Sequence, residues 1–132
     1  MDQPLIRFEN IHKSYGDNRV LRGVDLSIYK GEITTIIGKS GEGKSVLLKH
    51  IIGLVRPDSG RIFFDGRTLA ERKKRERETL RQKFSYMFQD SALFDSMTVY
   101  DNIALPLREG ARLKARDIQA RVARKLEQLD LQ

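Results

Sequence analysis

Residues 38–45 read GKSGEGKS and satisfy the pattern G-x-x-x-x-G-K-[ST], with Gly38, Gly43, Lys44 and Ser45 at its fixed positions. This stretch constrains the fold more than any other, because the pattern works only between a strand and a helix. Both flanks suit it. The apolar, β-branched run 33–37 precedes it, and a helical-looking stretch, 46–54, follows. Glycines let the backbone approach an anion and turn successive N–H groups toward it. The following helix adds the positive end of its dipole. Lys44 supplies a full charge for the β- and γ-phosphates of a nucleoside triphosphate, and Ser45 a hydroxyl for Mg²⁺. The plainer reading of the same residues is a glycine-rich strand-to-helix turn without a ligand.

A chain of 132 residues suits one small domain with a real core. It has no cysteine, which excludes disulfides and thiolate chemistry. No run of eighteen apolar residues is present, and the start, MDQPLIRFEN, lacks a basic-then-apolar leader pattern. These features lead us to expect a soluble, cytoplasmic chain. The net charge of +7 is concentrated in 67–83, where eight basic residues meet only Glu71, Glu76 and Glu78. The window has Glu/Arg and Glu/Lys spacings of an exposed helix and no aromatic residue for base stacking. A solvated helix and a contact with a membrane protein or lipid headgroups both fit; direct nucleic-acid binding fits least. His12 and His50 have no metal-ligand spacing and read as surface or packing residues.

The chain opens with strands joined by tight turns. Leu5, Ile6 and Phe8 begin one strand, 15–18 is a turn, and Val24, Leu26 and Ile28 alternate with polar partners in a second. Lys30 and Gly31 then turn the chain into an expected strand at 33–37. The helix after the glycine-rich loop should end near Gly53, and 57–60 should turn. The spacing predicts a strand over 61–64 closed by Asp65-Gly66, a hairpin signal. Ile62-Phe63-Phe64-Asp65 mimics four apolar residues before a metal-binding aspartate, but Gly66 follows and the turn reading is better. Thr68 and Glu71 have capping-box spacing, which should start the basic helix. Residues 84–88 read as a short strand, Thr98 and Asp101 as a helix start, and Pro106 as its end or kink. Ile118, Val122, Leu126 and Leu129 recur at helical spacing. The expected class is α/β: a P-loop core with an antiparallel β region.

Several stretches together resemble the N-terminal half of the ATP-binding-cassette ATPases, the nucleotide-binding subunits of ABC transporters. They are Tyr15, GKSGEGKS, GLVRPDSGRIFFDG (53–66) and FQDSALFDSMTVYDNIALPLRE (88–109). The resemblance covers essentially all of residues 1–132, as part of one nucleotide-binding domain. The β region and P-loop take about 1–88, and the glutamine loop and the start of a helical subdomain about 89–132. ALF followed by DNIALPLRE is similar to the subgroup that powers Mla-type phospholipid transport and toluene-tolerance systems. The resemblance implies an ATP and Mg²⁺ site. Tyr15 would stack on adenine. Gly38, Lys39, Ser40, Gly41, Glu42, Gly43, Lys44, Ser45 and Val46 would wrap the phosphates, with Ser45 and Gln89 toward Mg²⁺. Gln89 would also help hold the attacking water and couple the site to the membrane partner, a transmembrane permease meeting residues 90–109. A second copy of the subunit would complete an ATP sandwich, and the location would be peripheral on the inner membrane face. Val46 stands where many members carry Ser or Thr, so one hydroxyl contact is missing. Glu42 puts a negative charge in the loop, harmless if it points outward.

The family's LSGGQ signature, Walker B Asp-Glu and switch histidine do not occur in these residues. Hydrolysis needs a carboxylate that polarises water. The expectation is that the complete family protein is an ATPase, whereas this chain alone binds ATP without hydrolysing it. Strand 33–37 should also want parallel neighbours, leaving the isolated chain marginal or self-associating. Three rival functions stay open: a soluble ABC-type ATPase acting on nucleic acid or ribosomes, a nucleotide-binding module without catalysis, and, weakest, a small-molecule kinase sharing the loop.

Overall fold

The alternation of apolar and polar residues in 6–28 folds as a hairpin. In a computed structural model, describing residues 2–39, 41, 43–90, 92–111 and 113–131, β1 (Ile6–Tyr15) and β2 (Asn18–Ile28) pair antiparallel from Ile6↔Ile28 to Tyr15↔Asn18. β3 (Ser59–Phe64) pairs antiparallel with the other edge of β1, and β4 (Arg67–Thr68) closes the sheet in the order β2-β1-β3-β4. Ile6 and Phe8 are buried two positions apart, but the next buried position is Ile11, three further on. The parity is reset at Asn10, where φ is 51° and the register slips toward both neighbours. Its N–H donates to Asp25 Oδ1 at 2.9 Å. A bulge of this kind keeps the apolar face continuous over a long strand.

α1 (Lys44–Ile51) packs Leu47 and Ile51 onto Ile6, Phe8, Ile11, Leu21 and Phe64 to form the core of the first unit, Met1–Ser85. The turn at 57–60 is pinned to β1 by Asp58, whose carboxylate accepts from the Ser14 N–H at 2.7 Å and from Lys13 Nζ at 3.3 Å. Asp65-Gly66 is the expected hairpin turn, with both φ angles positive, and the Asp65 N–H donates to the Leu5 carbonyl at 2.7 Å. The second unit, Tyr86–Gln132, contains α3 (Val99–Gly110) and α4 (Ala115–Gln128), joined by Ala104, Ile118 and Val122.

Four expectations need correction. Residues 33–37 and 84–88 form no strand. A strand exists only by pairing, and among the described residues neither segment has a ladder partner. Ile33 and Ile37 are 97% and 91% exposed, although Ile36 and Phe84 lean on the core. The reciprocal box of Thr68 and Glu71 does form, with the Thr68 N–H donating to Glu71 at 2.6 Å and the Glu71 N–H to Thr68 Oγ1 at 3.3 Å. It closes a turn, and the basic helix α2 (Lys74–Arg81) begins later, where Glu76 accepts from the Lys73 N–H at 2.7 Å. Of the end or kink expected at Pro106, the end does not occur, and α3 runs on to Gly110. Proline removes one donor in a helix, and Ala104 packing on α4 holds the turn around it.

Candidate functional site

Gly43 caps α1 with φ 90° and is buried. A Cβ there would stand 2.7 Å from Val20 Cγ1 and 3.2 Å from the Val20 carbonyl oxygen. Only glycine gives both the left-handed backbone and the close approach of loop to sheet. The first turn of α1 carries no acidic side chain, so the positive end of the helix is not neutralised from within. Gly41 also turns with φ 82°. Ser40 and Glu42, expected members of the loop, lie outside the described residues.

Lys44 Nζ donates to the carbonyl oxygens of Gly38 and Lys39, the latter at 2.8 Å. The ammonium is thus held over the loop by the loop's own backbone. Gly38, Lys39 and Ser45 are exposed, and Val46 is half-buried against the core. The Val46 carbonyl accepts from His50 Nδ1 at 2.7 Å. Backbone N–H groups, one cation, one exposed hydroxyl and a helix N-terminus make a concentrated anion-binding set.

Tyr15 ends β1, half-exposed, with Lys13 Nζ 5.3 Å from the ring centroid. It pairs with Asn18, and Val20, two residues on, packs against Gly43. The hairpin end and the loop therefore share one side of the first unit. Gln89 is an exposed turn residue of the second unit and is described with that unit alone.

Within the second unit, sequence reasoning passed over Asn102. Its side chain accepts from the Phe94 N–H at 2.9 Å and donates to the carbonyls of Phe94 and Thr98 at 3.2 and 3.0 Å. Asn102 clamps the 94–98 turn onto α3, while Leu93, Phe94 and Val99 remain exposed. Thr98 caps α3 by accepting from the Asp101 N–H at 3.1 Å. The Arg108 guanidinium, with the Thr98 hydroxyl second, holds the Asp101 carboxyl below the usual carboxylate range. A half-buried amide with four hydrogen bonds is invisible to periodicity; only the Thr98 spacing hinted at the cap. Among the described residues no cluster of three His, Cys, Asp or Glu could hold a metal ion. No described helix is long and apolar enough to cross a membrane.

Comparison with known proteins places this geometry. Residues 21–132 match the family model for ABC transporter. The probable ribonucleotide transport ATP-binding protein of Mycobacterium leprae (strain TN) is 43% identical over 126 residues, covering 96% of this chain and 36% of that protein. The intermembrane phospholipid transport system ATP-binding protein MlaF of Haemophilus influenzae is 38% identical over 131 residues, covering 99% of this chain and 50% of that protein. Among solved structures, a dimeric bacterial ABC transporter cassette superposes with a TM-score of 0.82 at 29% identity, covering 96% of this chain and 58% of that one. The chain thus spans from about a third to just over half of the proteins it matches. With the loop, its helix and the sheet beneath them matched over most of its length, the chain belongs to the ABC transporter family.

Proposed function

We propose that this chain binds MgATP through the loop 38–46 and forms part of the nucleotide-binding subunit of a transporter for a lipid or organic solute. The observation that carries the reading is the loop itself, set at an unneutralised helix start and closed over by Lys44. The residues present fit the ligand. Gly43 lets the left-handed loop lie directly on Val20 of the sheet, and Lys44 holds a charge that phosphate can draw from two carbonyls. The N–H groups of 38–46 and Lys44 would hold the phosphates, Ser45 would face Mg²⁺, and the exposed Tyr15 ring would stack on adenine. Bound MgATP supplies the phosphoanhydride whose binding and cleavage power transport in the complete protein; this chain alone binds without turnover. The exposed Leu93 and Phe94, held by Asn102, form the surface for a transmembrane permease. A second copy of the subunit closes the nucleotide site, at the inner face of the membrane. The phospholipid-transport relative supports the lipid reading.

The test is equilibrium binding of MgATP to three chains. Lys44→Ala should abolish measurable affinity. Tyr15→Ala should weaken it by about 1–3 kcal/mol, the worth of one base–aromatic stack. Unchanged binding in Lys44→Ala would remove the site assignment.

A further inference from the structure

The opposite end of α1 carries a second basic site. An eight-residue helix is about 12 Å long, so this end is separate from the glycine-rich loop. Here α1, the 55–57 turn, the start of β3, the 68–70 turn and α2 surround an open cleft of about 910 Å³. Arg56, Lys74, Arg77 and Arg81 line it against a single carboxylate, Glu78. Arg61 also reaches the lining but is neutralised by Glu9. Among the described residues Arg56, Lys74 and Arg81 make no ion pair. The C-terminal end of α1 opposes an anion with roughly half a charge, which four cations against one carboxylate outweigh.

His50 lines the same cleft and is 1% exposed. Its Nδ1 is committed to the Val46 carbonyl at 2.7 Å, and its Nε2 is buried without a hydrogen-bond partner. A buried polar atom in that state costs free energy that a ligand group can recover. Phe8, edge-on to the imidazole at 6.4 Å, fixes the ring from the sheet side.

We propose that this cleft binds a phosphate group, free as a phosphate ester or carried on a lipid headgroup. Arg56, Lys74 and Arg81 hold its charge, and one proton is shared between a phosphate oxygen and His50 Nε2. Phosphate suits the site because its second ionisation lies near pH 6, so it can carry that proton near neutrality. Basic side chains supply the charge-assisted donors that such an anion needs.

The test titrates the chain with inorganic phosphate at constant ionic strength, in a Lys44→Ala background that silences the loop. The imidazole proton signals are followed by NMR, with His12→Gln identifying those of His50. The expected result is saturable movement of the His50 signals, weakened at least tenfold by Arg81→Gln. Arg81 is exposed, so its replacement leaves the fold intact where a change at buried His50 would endanger it. A linear response, equal in both chains, would overturn the site and leave only a solvated basic surface. So would a response present with Lys44 intact and lost in Lys44→Ala. Phosphatidylcholine vesicles with and without phosphatidic acid separate the two sources. Arg81-dependent sedimentation with phosphatidic acid assigns the headgroup; saturable phosphate binding without sedimentation assigns a soluble ester. The outcome is independent of nucleotide binding at the loop.

Discussion

At Gly43 a single methyl group decides whether the loop can lie on the sheet. Alanine there would need φ 90° and would place Cβ 2.7 Å from Val20 Cγ1. Gly43→Ala should therefore cost about 1–3 kcal/mol of stability, read as a lower urea midpoint, and should weaken MgATP binding as well. A core substitution separates the two effects. Phe8 is buried beneath α1, beside His50, and is not itself a member of the loop. Phe8→Ala should cost about 3–5 kcal/mol and leave nucleotide affinity unchanged in whatever fraction stays folded. The motif spacing made Lys44 legible as a phosphate ligand. Its hold on the Gly38 and Lys39 carbonyls was not, because side-chain reach to backbone depends on the folded loop. His50 was read as a surface or packing residue. Packing is part of its place, but its unpartnered nitrogen shows only once its neighbours are known.

At the scale of elements, Asp58 joins the 57–60 turn to β1. The Ser14 N–H, then Lys13, lowers its carboxyl below the ordinary aspartate value. A depressed carboxyl contributes stability that is present above its unfolded value, about pH 4, and is lost as pH falls through the folded value. Asp58→Asn should melt below the parent chain at neutral pH, and that gap should close as pH falls below about 4. A gap independent of pH would show that the carboxylate charge plays no part. Thr98→Ala should destabilise α3 by about 1 kcal/mol, measured as faster amide exchange in its first turn.

Elements with local causes were legible. The period-two runs gave β1 and β2, Asp65-Gly66 gave the β3–β4 hairpin, and Thr98 gave the start of α3. Segments 33–37 and 84–88 were misjudged because strand formation depends on a partner distant in sequence, whatever the local propensity. The start of α2 was misplaced because the Thr68–Glu71 box serves a turn as readily as a helix.

The whole molecule exposes apolar surface that a folded sheet would cover. Ile33 and Ile37 in the first unit, and Met87 in the second, are each more than nine-tenths exposed. The chain should self-associate with rising concentration in sedimentation velocity, and Ile33→Asp with Ile37→Asp should reduce that association. A sharp monomer at every concentration, with a cooperative melt, would contradict it.

The central claim is that residues 38–46 form a MgATP site. Backbone amide spectra of the chain titrated with MgATP test it most directly. The account predicts saturable shifts at Gly41, Gly43, Lys44, Ser45 and Val46, with the Tyr15 ring signals moving over the same range. A titration that leaves those amides in place while the chain remains folded would contradict it.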